Sequence, residues 1–329
     1  MSGVVLAAAI ERFGIAGTFA ISRGSKHEAV VVHVTLTCDG IAGHGECVPY
    51  ARYGETPEGV LDTILGLAPA IEAGLDRQGL QAALPPGAAR NGIDCAFWDL
   101  EARLAGTSVA ALTGLAVPPK VISAYTISLD TPEAMAESAR RVSDYPLLKL
   151  KLDGAGDHER IAAVRAAVPN ARLIVDANEA WAVQDLAANI EACRKLGVEL
   201  VEQPLPADAD TTLSTVPHPV PICADESIHG LSSLAMLNSR YEAINIKLDK
   251  TGGLTEAIAL AHAARARGLR LMVGCMVGTS LSMAPALLLC GLADWVDLDG
   301  PLLLQQDRPG GLSYAAGRII GAGAEMWGG

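Results

Sequence analysis

Apolar and polar positions along the chain fall into two textures. From Ala29 to Leu36 β-branched residues crowd into AVVVHVTL, Asp39-Gly40 follows as a turn signal, and Ile41 to Val48 resumes as IAGHGECV. Two apolar runs around such a dipeptide predict an antiparallel sheet. Helical spacing comes next. Thr56-Pro57 opens one helix near residue 57, and Ala88 to Leu104 sets Ile93, Phe97, Leu100 and Leu104 on one face. Residues 1–115 therefore predict an α+β domain.

After Pro118-Pro119 the texture changes. Short apolar runs begin at residues 121, 147, 172, 198, 221, 242, 270 and 294, separated by Ala-rich amphipathic segments. Continuous apolar strands joined by helical crossovers are buried on both faces, as in a parallel sheet, and eight of them predict a closed (β/α) barrel over residues 116–310. A doubly wound open sheet is the alternative, but it ordinarily carries a glycine-rich loop after its first strand, and Val121 to Pro132 contains no glycine. Residues 311–329 are weakly patterned and are expected to pack back on the first domain.

Composition removes several function classes. Half of the 329 residues are apolar, too many for a disordered chain. A formal charge of −12 with 4% aromatics lacks the basic footprint and stacking platforms of general nucleic-acid binders. The most apolar stretch, Leu281 to Ala293, is interrupted by Ser282, Pro285 and Gly291 and is shorter than the roughly 18–20 residues of a membrane span. The apolar Val4–Ile10 run is followed at once by Glu11-Arg12, unlike a secretory signal, so a cytoplasmic location is expected. Seven scattered cysteines form no Cys-X-X-Cys pair and read as reduced core thiols. Nothing here fixes oligomeric state, and a homo-oligomer stays open.

Chemistry is concentrated at the ends of the apolar runs. Lys151, Asp176, Glu202, Asp225, Lys247, Cys275 and Asp297 follow one another at steps of 25, 26, 23, 22, 28 and 22 residues. In a parallel barrel that recurrence puts them on the C-terminal rim, where barrel active sites are built. A single Asp or Lys at a strand end is ordinarily a solvated or ion-paired residue. A ring that separates cations from anions is not. Asp176, Glu202 and Asp225, on three consecutive strands, suit a hard divalent cation, Mg2+ with Mn2+ as the substitute. Lys149 and Lys151 on one side and Lys247 on the other suit proton abstraction and return beside a carboxylate, with the metal stabilising the enediolate. Lys149 and Lys151 share a strand face and are expected to depress each other's pKa.

The segments KLKLDG (149–154), IVDANEAW (174–181), VEQPLP (201–206), CADES (223–227) and NIKLDKTGGL (245–254) together resemble the enolase superfamily, in its muconate-lactonising subgroup. The resemblance covers nearly the whole chain and implies a modified (β/α)7β barrel with an N-terminal α+β capping domain. By it, Lys151 and Lys247 are the acid/base catalysts, Lys149 the helper of Lys151, and Asp176, Glu202 and Asp225 the Mg2+ ligands.

Reactions within the subgroup share that ring. DLDGP (297–301) resembles the Asp-X-Asp motif with which dipeptide epimerases hold a substrate α-ammonium group, a task for Asp297 and Asp299 together. ISRGSKHEA (21–29) and HGECVPYARYGE (44–55) resemble specificity loops of L-Ala-D/L-Glu epimerases, which implies that Arg23 pairs with a glutamate side-chain carboxylate, supplemented by Lys26. Gly274-Cys275-Met276 is expected to shape the pocket. The implied activity is epimerisation of a small-molecule dipeptide, L-Ala-D-Glu to L-Ala-L-Glu, in cell-wall peptide recycling. An N-acylamino acid racemase, a muconate-type cycloisomerase and a catalytically silent binder remain alternatives. Sugar-acid dehydration fits less well, because Lys247 stands where those relatives carry a His/Asp pair.

Overall fold

The computed structural model describes residues 3–237, 239–320 and 326–329. Strands β1 (Val5–Ile21), β2 (Gly24–Cys38) and β3 (Ile41–Cys47) form an antiparallel sheet in that order. Asp39 and Gly40 both take positive φ, 51° and 78°, as a two-residue hairpin turn requires. Val32, Val34 and Leu36 alternate inward along β2 and are fully buried. They meet Ile93, Phe97 and Leu100 of the helix Ala88–Leu104, the face that the helical spacing predicts. The helix lies so close that a Cβ on Gly45 would stand 2.1 Å from the Gly92 carbonyl oxygen, and only glycine fits there.

This helix is also buried on its polar side, where it docks on the barrel. Asn91 Nδ2 donates to Asp249 Oδ1 at 2.8 Å, Asp94 Oδ2 accepts from the Thr255 amide at 3.0 Å, and the Arg90 guanidinium donates to the carbonyls of Thr251 and Gly252. Burial raises the carboxyl groups of Asp94 and Asp249, to about 6 and about 7, despite those bonds.

After β4 (Lys120–Ile122) come eight parallel strands: β5 (Tyr125–Ile127), β6 (Leu147–Lys151), β7 (Arg172–Asp176), β8 (Val198–Glu202), β9 (Ile222–Ala224), β10 (Ala243–Ile246), β11 (Arg270–Gly274) and β12 (Trp295–Asp297). They pair in chain order, and the Ala124 amide, donating to the Val296 carbonyl at 2.8 Å, brings first and last together. All eight apolar runs hold a barrel strand. The connections are less regular than the sequence suggests. A 3-10 turn (Asp210–Thr215) follows β8, and only the four-residue helix Leu231–Leu234 follows β9.

Side chains alternate along each strand, so every second residue enters the barrel. One interior layer is Ala124, Leu147, Ile174, Leu200, Cys223, Ala243, Met272 and Trp295. Two residues further along, the same face carries the polar ring, with Gly274 on β11 as the exception. The apolar plug holds those charges at the C-terminal mouth.

Strands β13 (Ser313–Ala315) and β14 (Arg318–Ile320) join β4 in a small antiparallel sheet, so the run at 121–127 is divided between two sheets. Residues 321–325 of the expected C-terminal segment lie outside the described residues. Beyond them Trp327 Nε1 donates to the Cys95 carbonyl at 3.0 Å and Gly328 N to Asp99 Oδ1 at 2.8 Å, both on the long helix. Among the described residues no helix is long and apolar enough to cross a membrane. All seven cysteines are free, and six are buried.

Candidate active site

The barrel mouth brings Lys149, Lys151, Lys247 and Lys250 among the carboxylates of the ring, and access to the central cavity sorts these lysines into two kinds. Lys149 Nζ stands 2.7 Å from Asp297 Oδ2, 2.7 Å from Glu202 Oε2 and 3.3 Å from Asp176 Oδ2. Lys250 Nζ donates to the Asp225 carbonyl (2.6 Å), Asp225 Oδ1 (2.5 Å) and the Asn245 carbonyl (2.9 Å). Both are about 1% exposed and neither lines the cavity; Lys149 donates one hydrogen bond, to Asp297, and is otherwise held by ion pairing. Lys151 and Lys247 differ. Among the described residues each makes a single hydrogen bond, to Asp176 Oδ2 and Asp225 Oδ2 respectively, at 2.6 Å, and each lines a cavity of about 430 Å³. Their strands, β6 and β10, are four apart in a ring of eight, so the two ammonium groups approach the cavity from opposite sides.

The expected mutual depression of lysine pKa does not hold for Lys149. Burial pulls its pKa down, but Asp297, Glu202 and Asp176 outweigh that, and it lies well above the ordinary value. Lys247 is likewise raised, burial being overcome by Asp225 and Glu202. Lys250 is lowered by its burial, although Asp225 opposes. The carboxylates answer in kind. Asp176 and Asp225 are held low because facing lysines overcome their desolvation, whereas for Glu202 burial and the nearby Asp176 win and the pKa rises.

Among the described residues no three His, Cys, Asp or Glu side chains converge as a finished metal cage, because Lys149 and Lys247 bridge neighbouring carboxylates. The donor set nevertheless fits a hard cation. Asp176, Glu202 and Asp225 supply buried oxygens from three adjacent strands, and Glu202 Oε2 accepts no hydrogen bond despite its closeness to Lys149.

Arg23, on the loop between β1 and β2, reaches the cavity. Its Nη groups donate to the Asn178 carbonyl (3.0 Å), Glu179 Oε2 (3.2 Å), Tyr50 Oη (3.2 Å) and Glu226 Oε1 (2.7 Å). Burial works against its charge, yet Glu226 and Tyr50 raise its pKa overall. Lys26 lies 5.0 Å from the centre of the Tyr50 ring and also lines the cavity, as do Cys275 and Met276. Asn178 and Glu179 hold positive φ, 45° and 67°, a conformation rare for residues with side chains. That turn aims Glu179 at Arg52, which donates two bonds of 2.9 Å to it, and so ties both capping loops to the barrel.

Asp297 and Asp299 are buried but do not line the cavity. Asp297 closes on Lys149, and its Oδ1 has no hydrogen-bond partner among the described residues. Asp299 is not the second residue of a strand face, because β12 stops at Asp297. It opens a 3-10 turn, and its Oδ2 accepts from the Thr126 amide at 2.6 Å. Burial and the adjacent Asp297 raise it to about 7.

Sequence reasoning missed Lys250, Asn245, Glu226 and Tyr53. Glu226 lines the cavity, and burial together with Asp225 raises it to about 7. Asn245 donates to Glu202 Oε1 at 2.7 Å. Its signal was present, two residues before Lys247 on the same strand face. Tyr53 lines the cavity from the capping domain, packed edge-on against His229.

Residues 7–114 match the N-terminal domain of the mandelate racemase / muconate lactonizing enzyme family, and residues 134–319 match the enolase C-terminal domain-like family. The chain belongs to the enolase superfamily. It is 50% identical over 303 residues to the L-Ala-D/L-Glu epimerase of Escherichia coli K12, an alignment spanning 92% of this chain and 94% of that one. To the N-acetyl-D-glutamate racemase of a Pseudoalteromonas species it is 45% identical, over 87% and 91% of the two chains. An enolase family member of Agrobacterium tumefaciens with homology to dipeptide epimerases, solved with sodium and L-Ala-L-Glu, superposes with a TM-score of 0.97 at 49% identity, covering 99% of this chain and 100% of that one. A dipeptide epimerase of Enterococcus faecalis V583, solved with Mg and L-Leu-L-Tyr, gives a TM-score of 0.90 at 29% identity, covering 97% and 98%.

Proposed function

We propose that this chain is a Mg2+-dependent dipeptide epimerase that inverts the α-carbon of a C-terminal glutamate, interconverting L-Ala-D-Glu and L-Ala-L-Glu as reuse of cell-wall peptides requires. The observation that carries the reading is the pair Lys151 and Lys247, singly bonded and facing one cavity from opposite sides of the barrel. Inversion at carbon needs a base on one face and an acid on the other. A carbon between these lysines meets both. Lys151 takes or returns the α-proton on one face and Lys247 on the other, while Lys149, buried behind the cavity wall against Asp297, Glu202 and Asp176, serves as an electrostatic support.

Asp176, Glu202 and Asp225 would hold the cation, with Mn2+ as a substitute. Bound there, it supplies positive charge to the carboxylate of the deprotonated substrate and takes over carboxylate charge now paired with lysines. Arg23 and Lys26 bring cations to the cavity wall for an acidic side chain. Asp297 and Asp299 would receive the α-ammonium group, with Asp297 Oδ1 as the buried acceptor left open to it.

A second reading is racemisation of an N-acylated glutamate. The closure of Asp297 on Lys149 and its absence from the cavity wall favour it, as does likeness to the N-acetyl-D-glutamate racemase. Proton NMR in D2O with Mg2+ separates the two. Loss of the glutamate α-proton from L-Ala-L-Glu, with appearance of the other diastereomer, is expected. Exchange confined to N-acetylglutamate would select the second reading, and exchange from neither would reject both.

A further inference from the structure

The three proposed ligand carboxylates share a division of labour between their oxygens. Asp176 Oδ1 accepts from the Asn178 amide at 2.9 Å, while Oδ2 faces Lys151. Glu202 Oε1 accepts from Asn245 Nδ2 at 2.7 Å, while Oε2 accepts no hydrogen bond. Asp225 Oδ1 accepts from Lys250 Nζ at 2.5 Å, while Oδ2 faces Lys247. One oxygen of each is pinned by Asn178, Asn245 or Lys250, and the other faces a lysine, Lys151 for Asp176, Lys149 for Glu202 and Lys247 for Asp225. For Asp176 the pin is backbone. For the other two it is a side chain.

Neither Asn245 nor Lys250 lines the cavity, and both are essentially fully buried. Lys250 also binds the carbonyl of Asp225, and Gln203 Oε1 accepts from the Asp225 amide at 2.8 Å. The remaining oxygen, Oδ2, accepts from Lys247, which lines the cavity. Room for Asn245 is supplied from the next strand. A Cβ on Gly274 would stand 2.6 Å from Asn245 Oδ1 and 2.8 Å from Nδ2. Among the described residues Asn245 Oδ1 has no hydrogen-bond partner, and the amide is turned to serve Glu202.

We infer that Asn245 and Lys250 are positioning residues for the metal ion, each fixing which single oxygen of Glu202 and Asp225 is offered to it. The inference rests on the proposed metal role of those carboxylates. A carboxylate free to rotate must be ordered when the ion binds, and it also offers the wrong oxygen. Outer partners of metal ligands typically contribute about 10–100-fold in affinity or activity.

Calorimetric titration with Mg2+ alone tests this on wild type, Asn245→Leu and Lys250→Met. Binding about 10–100-fold weaker in each variant is expected, with kcat restored in part by excess Mg2+, a rescue that a residue serving only the fold would not allow. Asn245→Ala and Gly274→Ala are the gentler variants. The first removes the donor without adding bulk, and the second displaces the amide while keeping Asn245 itself, so they decide the matter if Lys250→Met does not fold. Wild-type binding matched within twofold by folded variants would overturn the inference and leave the metal assignment standing. Absence of Mg2+ binding by the wild type would instead remove the metal assignment and the inference with it.

Discussion

Lys149 Nζ and Asp297 Oδ2 lie 2.7 Å apart inside the barrel, so the amine expected to assist the chemistry is bonded to the carboxylate expected to hold the substrate. The two assignments are coupled through this one bond. Removing the charge at position 297 changes both the substrate's ammonium site and the field at Lys149.

The double variant Asp297→Asn with Asp299→Asn separates the two proposed substrates. A dipeptide loses the acceptors for its ammonium group, at about 1–3 kcal/mol, or one to two orders of magnitude in KM. An N-acylated substrate has no such group and should change little in KM. Steady-state kinetics on L-Ala-L-Glu and N-acetylglutamate measure the difference.

Lys151→Ala and Lys247→Ala should each abolish solvent exchange from one epimer and spare some from the other, with epimerisation falling about 10²–10⁴-fold. Deuterium incorporation into the separate diastereomers reads this directly. Full epimerisation by either variant would falsify the two-base scheme.

Arg23→Met should raise KM for L-Ala-L-Glu about 10–100-fold, the range of a hydrogen bond to a charged group, and leave L-Ala-L-Leu nearly unaffected. The loops should hold, because Glu179 keeps both bonds from Arg52 and one from the Ala207 amide. Equal losses on both dipeptides would count against the acidic side-chain pocket.

Asp94 and Asp249 make the joint between the capping domain and the barrel sensitive to pH. Their carboxyl groups are raised in the fold, to about 6 and about 7, from an ordinary 3.8. The native state therefore binds more protons than the unfolded state between those values. The resulting stability is complete below pH 4 and is lost as pH rises through 6 to 7. Asp94→Asn keeps an acceptor for the Thr255 amide but cannot ionise. Urea melts at pH 5 and pH 8 should show the variant gaining on wild type at the higher pH, by about 1–3 kcal/mol. A difference independent of pH would reject this assignment.

The barrel and its rim were legible because strand periodicity and contiguous motifs carry them. Lys151, Asp176, Glu202, Asp225 and Lys247 each stand at or next to a strand end, where alternation alone sets direction. Lys250 was not legible. It lies in a helical turn after β10, and nothing local shows that this turn sends its ammonium back to Asp225. Strand β1 was missed for a different reason. VLAAAIERFGIAGTFAI is poor in β-branched residues, and pairing with β2 makes it a strand. The pKa expectation failed for Lys149 because it weighed neighbouring cations and left out the carboxylates opposite.

The closing hydrogen bond from Ala124 to Val296 also bears on how the molecule is made. The two residues stand at opposite ends of the barrel sequence, so β5 has no partner on its outer edge until β12 has left the ribosome. Contacts of such separation bear a loop-closure cost before any reward, and an open strand edge invites pairing with another chain. Synthesis thus passes through a long interval with an unpaired parallel edge. The final strand is the step that ends the exposure.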